Sequence, residues 1–192
     1  TFLGDPSART DFEETRTELY LDHRFNDNLS LRSLLRYTTG SEVGPIIGIS
    51  GSSEDDRNFP VDRLEDNLSA ESFIIQNDLI AEFNTGAVEH ELLFGFEYAY
   101  QFRETDFRRI SGGTVDIFNP TTDFTFDESS PFVFEEESTS FGIYLQDQIA
   151  ILDNLQLVIG GRFDTLDEET EFNGDTSETS ADAFSPRIGI VY

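Results

Sequence analysis

Polarity along this chain alternates with a period of two in seven separate stretches, approximately residues 17–25, 29–37, 73–83, 88–103, 141–151, 155–164 and 184–192. In the fourth, Val88, His90, Leu92, Phe94, Phe96, Tyr98, Tyr100 and Phe102 fall on one parity, against Glu89, Glu91, Leu93, Gly95, Glu97, Ala99, Gln101 and Arg103 on the other. A helix needs apolar residues three and four apart, so this spacing predicts strands with one apolar and one polar face. The fourth stretch is also far longer than the usual globular strand of about 5–6 residues.

The connections alternate in length. Asn26-Asp27-Asn28, Asn84-Thr85-Gly86 and Asp153-Asn154 read as tight hairpin turns, rich in the residues such turns favour. Residues 38–68, 104–138 and 165–183 read as long polar loops. An up-and-down meander then gathers its tight turns at one end and its large loops at the other, as in outer-membrane barrels. A Greek-key sandwich has no reason to sort its loops this way. The expected fold is therefore all-β, an antiparallel up-and-down transmembrane β-barrel segment of about seven strands. The apolar row faces lipid, and Arg32, Arg36, Asp78, Glu82, Glu89, Glu91, Glu97, Arg103 and Arg162 fall on the inner row. Asp147 is the acid on the lipid-facing parity, which implies a bulge or a place near the interface.

Composition narrows the function. Twelve Lys and Arg against 39 Asp and Glu give a net charge of −27, which repels phosphate backbones and argues against nucleic-acid binding. Nineteen Phe separate this acidity from that of a disordered chain. The absence of Cys removes disulfides, thiolate metal sites and a cysteine nucleophile, and the absence of Met marks an expected excised piece of a longer protein. The acids cluster in the three long segments, including Glu54-Asp55-Asp56, Glu135-Glu136-Glu137 and residues 165–183. A solvated outer surface is the favoured reading. The sharper one is divalent-cation binding, but no segment has the ligand spacing of a Ca²⁺ loop.

Candidate ligand contacts are Arg108 and Arg109 with the aromatics Phe118, Phe124 and Phe126 of the middle long segment. The bland alternative, that Phe124–Phe126 and Phe132–Phe134 merely extend a hairpin, is favoured. His23 and His90 lie near the tight-turn end on the lipid-facing parity, where girdle residues are expected rather than an acid–base pair. No catalytic site, cofactor or resident metal is read from the chain, and it is not read as an enzyme. Asn28-Leu29-Ser30 and Asn67-Leu68-Ser69 are chance glycosylation matches in such a setting, and Gly160-Gly161 permits a bend or relieves crowding inside a strand.

Several stretches carry a resemblance: Glu18-Leu19-Tyr20-Leu21-Asp22-His23-Arg24-Phe25, Glu91-Leu92-Leu93-Phe94-Gly95-Phe96-Glu97-Tyr98, Gly142-Ile143-Tyr144-Leu145-Gln146-Asp147-Gln148, Gly160-Gly161-Arg162-Phe163-Asp164 and Phe184-Ser185-Pro186-Arg187-Ile188-Gly189. With Phe2-Leu3-Gly4-Asp5-Pro6 ahead of them, in this order they resemble the barrel of TonB-dependent ferric-siderophore receptors. The resemblance implies a partial barrel domain over residues 1–192, from a barrel of about 22 strands with a plugged lumen. The plug, the TonB-contacting box and the remaining strands are expected outside this sequence. It further implies a cell outer membrane location, surrounding lipid, a ferric siderophore as ligand and energy from the inner-membrane TonB complex reached through the plug. The alternative is a small complete structural or adhesive outer-membrane barrel, with residues 1–12 contributing to an eighth strand.

Overall fold

A computed structural model describes residues 8–120, 124, 132–152 and 154–192. Seven strands run in chain order: β1 (Asp11–Asn26), β2 (Leu29–Ile49), β3 (Asn58–Thr85), β4 (Val88–Asp116), β5 (Phe132–Leu152), β6 (Leu155–Phe172) and β7 (Asp175–Val191). Each pairs antiparallel with the next in a single sheet ordered β1 to β7. β1 and β7 do not pair with each other, so the sheet is open and not the closed small barrel of the alternative reading.

The expected strands are all present, and longer than the alternation showed. Residues 38–68, 104–138 and 165–183, read as long loops, are mostly strand: β2 continues to Ile49, β3 begins at Asn58 and β4 reaches Asp116. The third of them shrinks to a two-residue turn, Asn173-Gly174, with φ of 52° and 87°. That pair of left-handed residues matches the twist of the flanking strands. Phe132–Phe134 extends a hairpin as expected, within β5. Thr125, Phe126 and Asp153 lie outside the described residues, as does the stretch Phe2–Pro6.

Directly paired residues share a face, so the register gives each face as a stack of cross-strand rungs. One rung is Leu19, Leu35, Ile75, Tyr98, Phe141 and Thr165, and another is His23, Leu31, Leu79, Phe94, Leu145 and Gly161. This is the lipid-facing row. Phe94 is 42% exposed and Leu145 50% exposed, so no second layer covers it. Among the described residues the buried hydrophobic side chains are only Val61, Ile110 and Val115, all in the upper parts of β3 and β4. Nearby, Pro60 and Asp62 oppose Thr114 and Ser111, a bulge absorbed by Gly113 at φ 83°.

Aromatic residues bracket the apolar band. Tyr37, Phe73 and Tyr100 form the upper rung, and Phe83 with His90 the lower one. The ten-residue span from Phe73 to Phe83, at about 3.4 Å per residue and a tilt of ~45°, covers roughly 24 Å of height, close to the hydrocarbon belt of such barrels. Above the upper rung the strands continue into water as arms. There the outward row turns acidic: Glu71, Glu137, Glu169 and Glu178 share one rung, and Glu13, Glu104, Glu135 and Glu171 the next.

Two sets of polar residues within the lipid-facing row are hydrogen-bonded to one another. Ser33 opposes Asn77, and its hydroxyl donates to Asn77 Oδ1 at 2.6 Å. Asp147 sits one rung from His90 of the lower girdle, near the interface as one of the two expectations had it, and the ladder has no bulge at its position. His90 Nδ1 lies 2.8 Å from Asp147 Oδ2, and His90 Nε2 lies 2.7 Å from Thr85 Oγ1. With the proton on Nδ1 donated to the carboxylate, Nε2 accepts from the threonine hydroxyl. The Phe83 ring stacks on the imidazole at 4.9 Å and 2°.

Candidate ligand-facing wall

The inner row is polar because it has no hydrocarbon to face, and its side chains hold one another. At mid-height Tyr144 on β5 donates its hydroxyl to Asp78 Oδ1 on β3, and Gln76 Nε2 reaches the same hydroxyl at 3.2 Å. Arg162 on β6 donates to Asp164 Oδ1 at 2.6 Å and to Glu97 Oε1 at 3.1 Å, and lies 5.3 Å from the centre of the Tyr144 ring.

Two glycines make this packing feasible. A Cβ at Gly95 would stand 2.3 Å from the Tyr144 ring, and one at Gly142 would stand 2.3 Å from the Arg162 guanidinium. Gly95 opposes Tyr144, and Gly142 lies between Glu97 and Asp164 on its rung. Each large side chain therefore lies down over a position without one. Near β1 the same row continues with Arg36 donating to Glu18 at 2.6 Å, while the Tyr20 hydroxyl donates to Glu18 at 2.8 Å.

Above the upper aromatic rung the inner row opens into a recess of about 400 Å³. Gly40 and Ala70 form its floor, because they leave the rung Glu14, Gly40, Ala70, Arg103 and Glu136 without bulk at its centre. Phe12 and Leu68 supply an apolar side, and Thr38, Ser72 and Gln101 supply hydroxyl and amide groups.

Higher still, Arg109 Nε donates to Asp62, which is itself buried. The connection from β2 to β3 is knotted by Asp55: its Oδ1 accepts from the backbone N–H of Asn58 at 2.7 Å and of Arg57 at 3.0 Å, and from Ser53 Oγ at 2.8 Å. These bonds, the Asn58 amide foremost, hold the Asp55 carboxyl well below the ordinary carboxylate range. Arg57 clamps Asp116 through Nε at 2.8 Å and Nη2 at 2.6 Å, which lowers the Asp116 pKa and raises that of Arg57.

The five sequence candidates do not converge on one place. Arg109 faces inward at the top of β4 in its pair with Asp62, whereas Arg108 falls on the outward row opposite Glu65. Phe118 is 76% exposed just past the end of β4. Phe124 lies outside any strand, and Phe126 is outside the described residues. The recess was missed because alternation places Arg103 on a face but does not name its cross-strand neighbours. Only the register sets it beside Ala70.

Comparison with known proteins follows the same lines. The family model described as "TonB dependent receptor-like, beta-barrel" matches residues 1–192. The chain is 28% identical to the metal-pseudopaline receptor CntO of Pseudomonas aeruginosa, over all of this chain and 29% of that protein. It is 26% identical to the ferrichrome outer membrane transporter/phage receptor of Escherichia coli, over 89% of this chain and 26% of that one. The siderophore receptor PiuA of Acinetobacter baumannii superposes with a TM-score of 0.81 at 20% identity, over 96% of this chain and 30% of that structure. The chain thus spans less than a third of the length of each.

Proposed function

Since the chain belongs to the TonB-dependent receptor β-barrel family of the outer membrane, we propose that it is part of the barrel wall of a receptor importing ferric siderophores. One observation carries the reading: a single uncovered sheet has an apolar row outward, a glycine-seated polar wall inward, and arms rising beyond the aromatic girdle. Hydrocarbon demands the first, a water- or protein-filled lumen permits the second, and a ligand arriving from outside meets the third. The named activities of the relatives, reception of metal-pseudopaline and transport of ferrichrome, support a metal chelate as cargo.

In this reading residues 1–192 are a partial barrel domain, and further strands and a lumen plug belong to the rest of the protein. The inner-membrane TonB complex supplies energy by acting on that plug. The role is transport rather than catalysis: the Thr85–His90–Asp147 chain lies on the lipid side, where both imidazole nitrogens and Asp147 Oδ2 are hydrogen-bonded within the chain and Asp147 Oδ1 has no partner among the described residues. Arg109 and Phe118 are candidates for first contact with the incoming chelate at the top of the arms.

The test is uptake of iron-55 chelates by iron-starved cells with and without the full-length gene, in backgrounds with and without TonB. Gene-dependent, TonB-dependent accumulation of at least one chelate is expected. Equal accumulation with and without the gene overturns the reading.

A further inference from the structure

We propose that the recess around Arg103 is a subsite for an anionic ferric chelate, and that Arg103 sets the preference of the receptor for negatively charged, carboxylate-bearing cargo. The proposal rests on the siderophore-receptor reading above and adds to it the ligand charge and the contacting residues.

Arg103 is exposed on the inner row and holds no ion pair among the described residues, although Glu136 is its direct cross-strand neighbour. The other inward arginines nearby are committed: Arg16 to Glu14 at 3.2 Å, Arg36 to Glu18 at 2.6 Å, and Arg109 to Asp62. An uncommitted guanidinium in so acidic a chain is the group with donors left to offer. Its planar fork suits a carboxylate, which accepts two parallel bonds.

The surroundings fit the same ligand. Gln101, Ser72 and Thr38 add neutral donors, Phe12 gives an exposed ring at the rim, and the bare floor at Gly40 and Ala70 leaves the volume open. One rung above, Thr105 is buried, and its hydroxyl has no partner among the described residues.

Charge placement makes the recess workable. On the arms the rungs of glutamates lie on the outward row, on the opposite side of the sheet from Arg103. Inside the recess Glu14 is held by Arg16, which leaves Arg103 and its neighbour Glu136 as the charges an anion entering along the inner face meets at short range, while the glutamates of the outward rungs are turned away. At physiological ionic strength the Debye length is about 8 Å, so the near field decides.

The experiment uses the full-length receptor in intact cells at 4 °C, with iron-55 complexes of citrate, aerobactin, enterobactin, ferrichrome and ferrioxamine B as probes. The anionic complexes should bind more tightly than the neutral or cationic ones. Arg103→Gln should weaken the best-bound anionic complex at least about tenfold, and Ala70→Phe, which fills the recess, should do the same. Neither should affect ferrichrome. Glu104→Gln, on the outward row, controls for expression and insertion. If only neutral or cationic complexes bind, or if both variants hold the anionic complex as tightly as wild type, the subsite is overturned while the receptor reading stands. If wild type binds and imports none of the five, both fall.

Discussion

Hydropathy alone says that replacing Asp147 by leucine should help, since an acid on the lipid-facing row is a liability. The structure says otherwise. His90 and Asp147 are only 13% and 24% exposed as side chains, and the carboxylate is the acceptor for Nδ1–H. Asp147→Leu gains at most about 1 kcal/mol for losing a polar group close to the interface. It leaves a buried donor unpaired, at about 1–3 kcal/mol. His90→Phe keeps the ring stack on Phe83 but strands the carboxylate, and breaking a buried pair from one side costs about 3–5 kcal/mol. The double variant removes both polar groups and should lie within about 1 kcal/mol of wild type, as such replacements often do. The expected coupling is then at least about 2 kcal/mol. Reversible denaturant unfolding of the full-length receptor in liposomes, followed by heat-modifiable mobility, measures all four forms. If the single effects add to the double within about 0.5 kcal/mol, the two side chains do not act as a unit and the reasoning fails.

Gly95→Ala should destabilise the barrel by about 1–3 kcal/mol through overpacking against Tyr144; Tyr144→Ala in the same background should recover part of it, and unchanged unfolding of Gly95→Ala would remove the socket. The 50–57 connection should resist acid: Asp55 and Asp116 have depressed folded-state pKa values, so their contribution is present above the unfolded value of about 3.9 and is lost as pH falls through the lower folded values. Hydrogen exchange at the Arg57 and Asn58 amides, corrected for intrinsic rates, should show constant protection from about pH 7 to 4. Opening between about pH 5 and 6 would contradict it.

The sequence made the membrane-embedded part of the fold readable because there each face has its own solvent. Val88 to Phe102 alternates since one row meets hydrocarbon and the other does not. On the arms both faces meet water, so Ser69, Glu71, Glu135 and Glu137 look no different from their inward neighbours, and the period disappears while the hydrogen-bonded ladder continues. Residues 165–183 were misjudged for that reason, although Asn173-Gly174 carried the turn signal within them. The site was less legible than the fold. Arg103 was visible as an inward charge, but its setting depends on Gly40 and Ala70, whose importance is the absence of side chain. Asp147 found its explanation in His90, 57 positions away.

The sockets at Gly95 and Gly142 have a mechanical corollary. Because the phenol and the guanidinium are inlaid in the sheet rather than standing off it, the bore beside β4, β5 and β6 is smooth at mid-height. A body displaced along that wall would slide over flat, mutually hydrogen-bonded groups and would meet no protruding ring to catch on. Filling either socket would raise a ridge in its path, and would brake traffic without touching any residue that recognises the cargo.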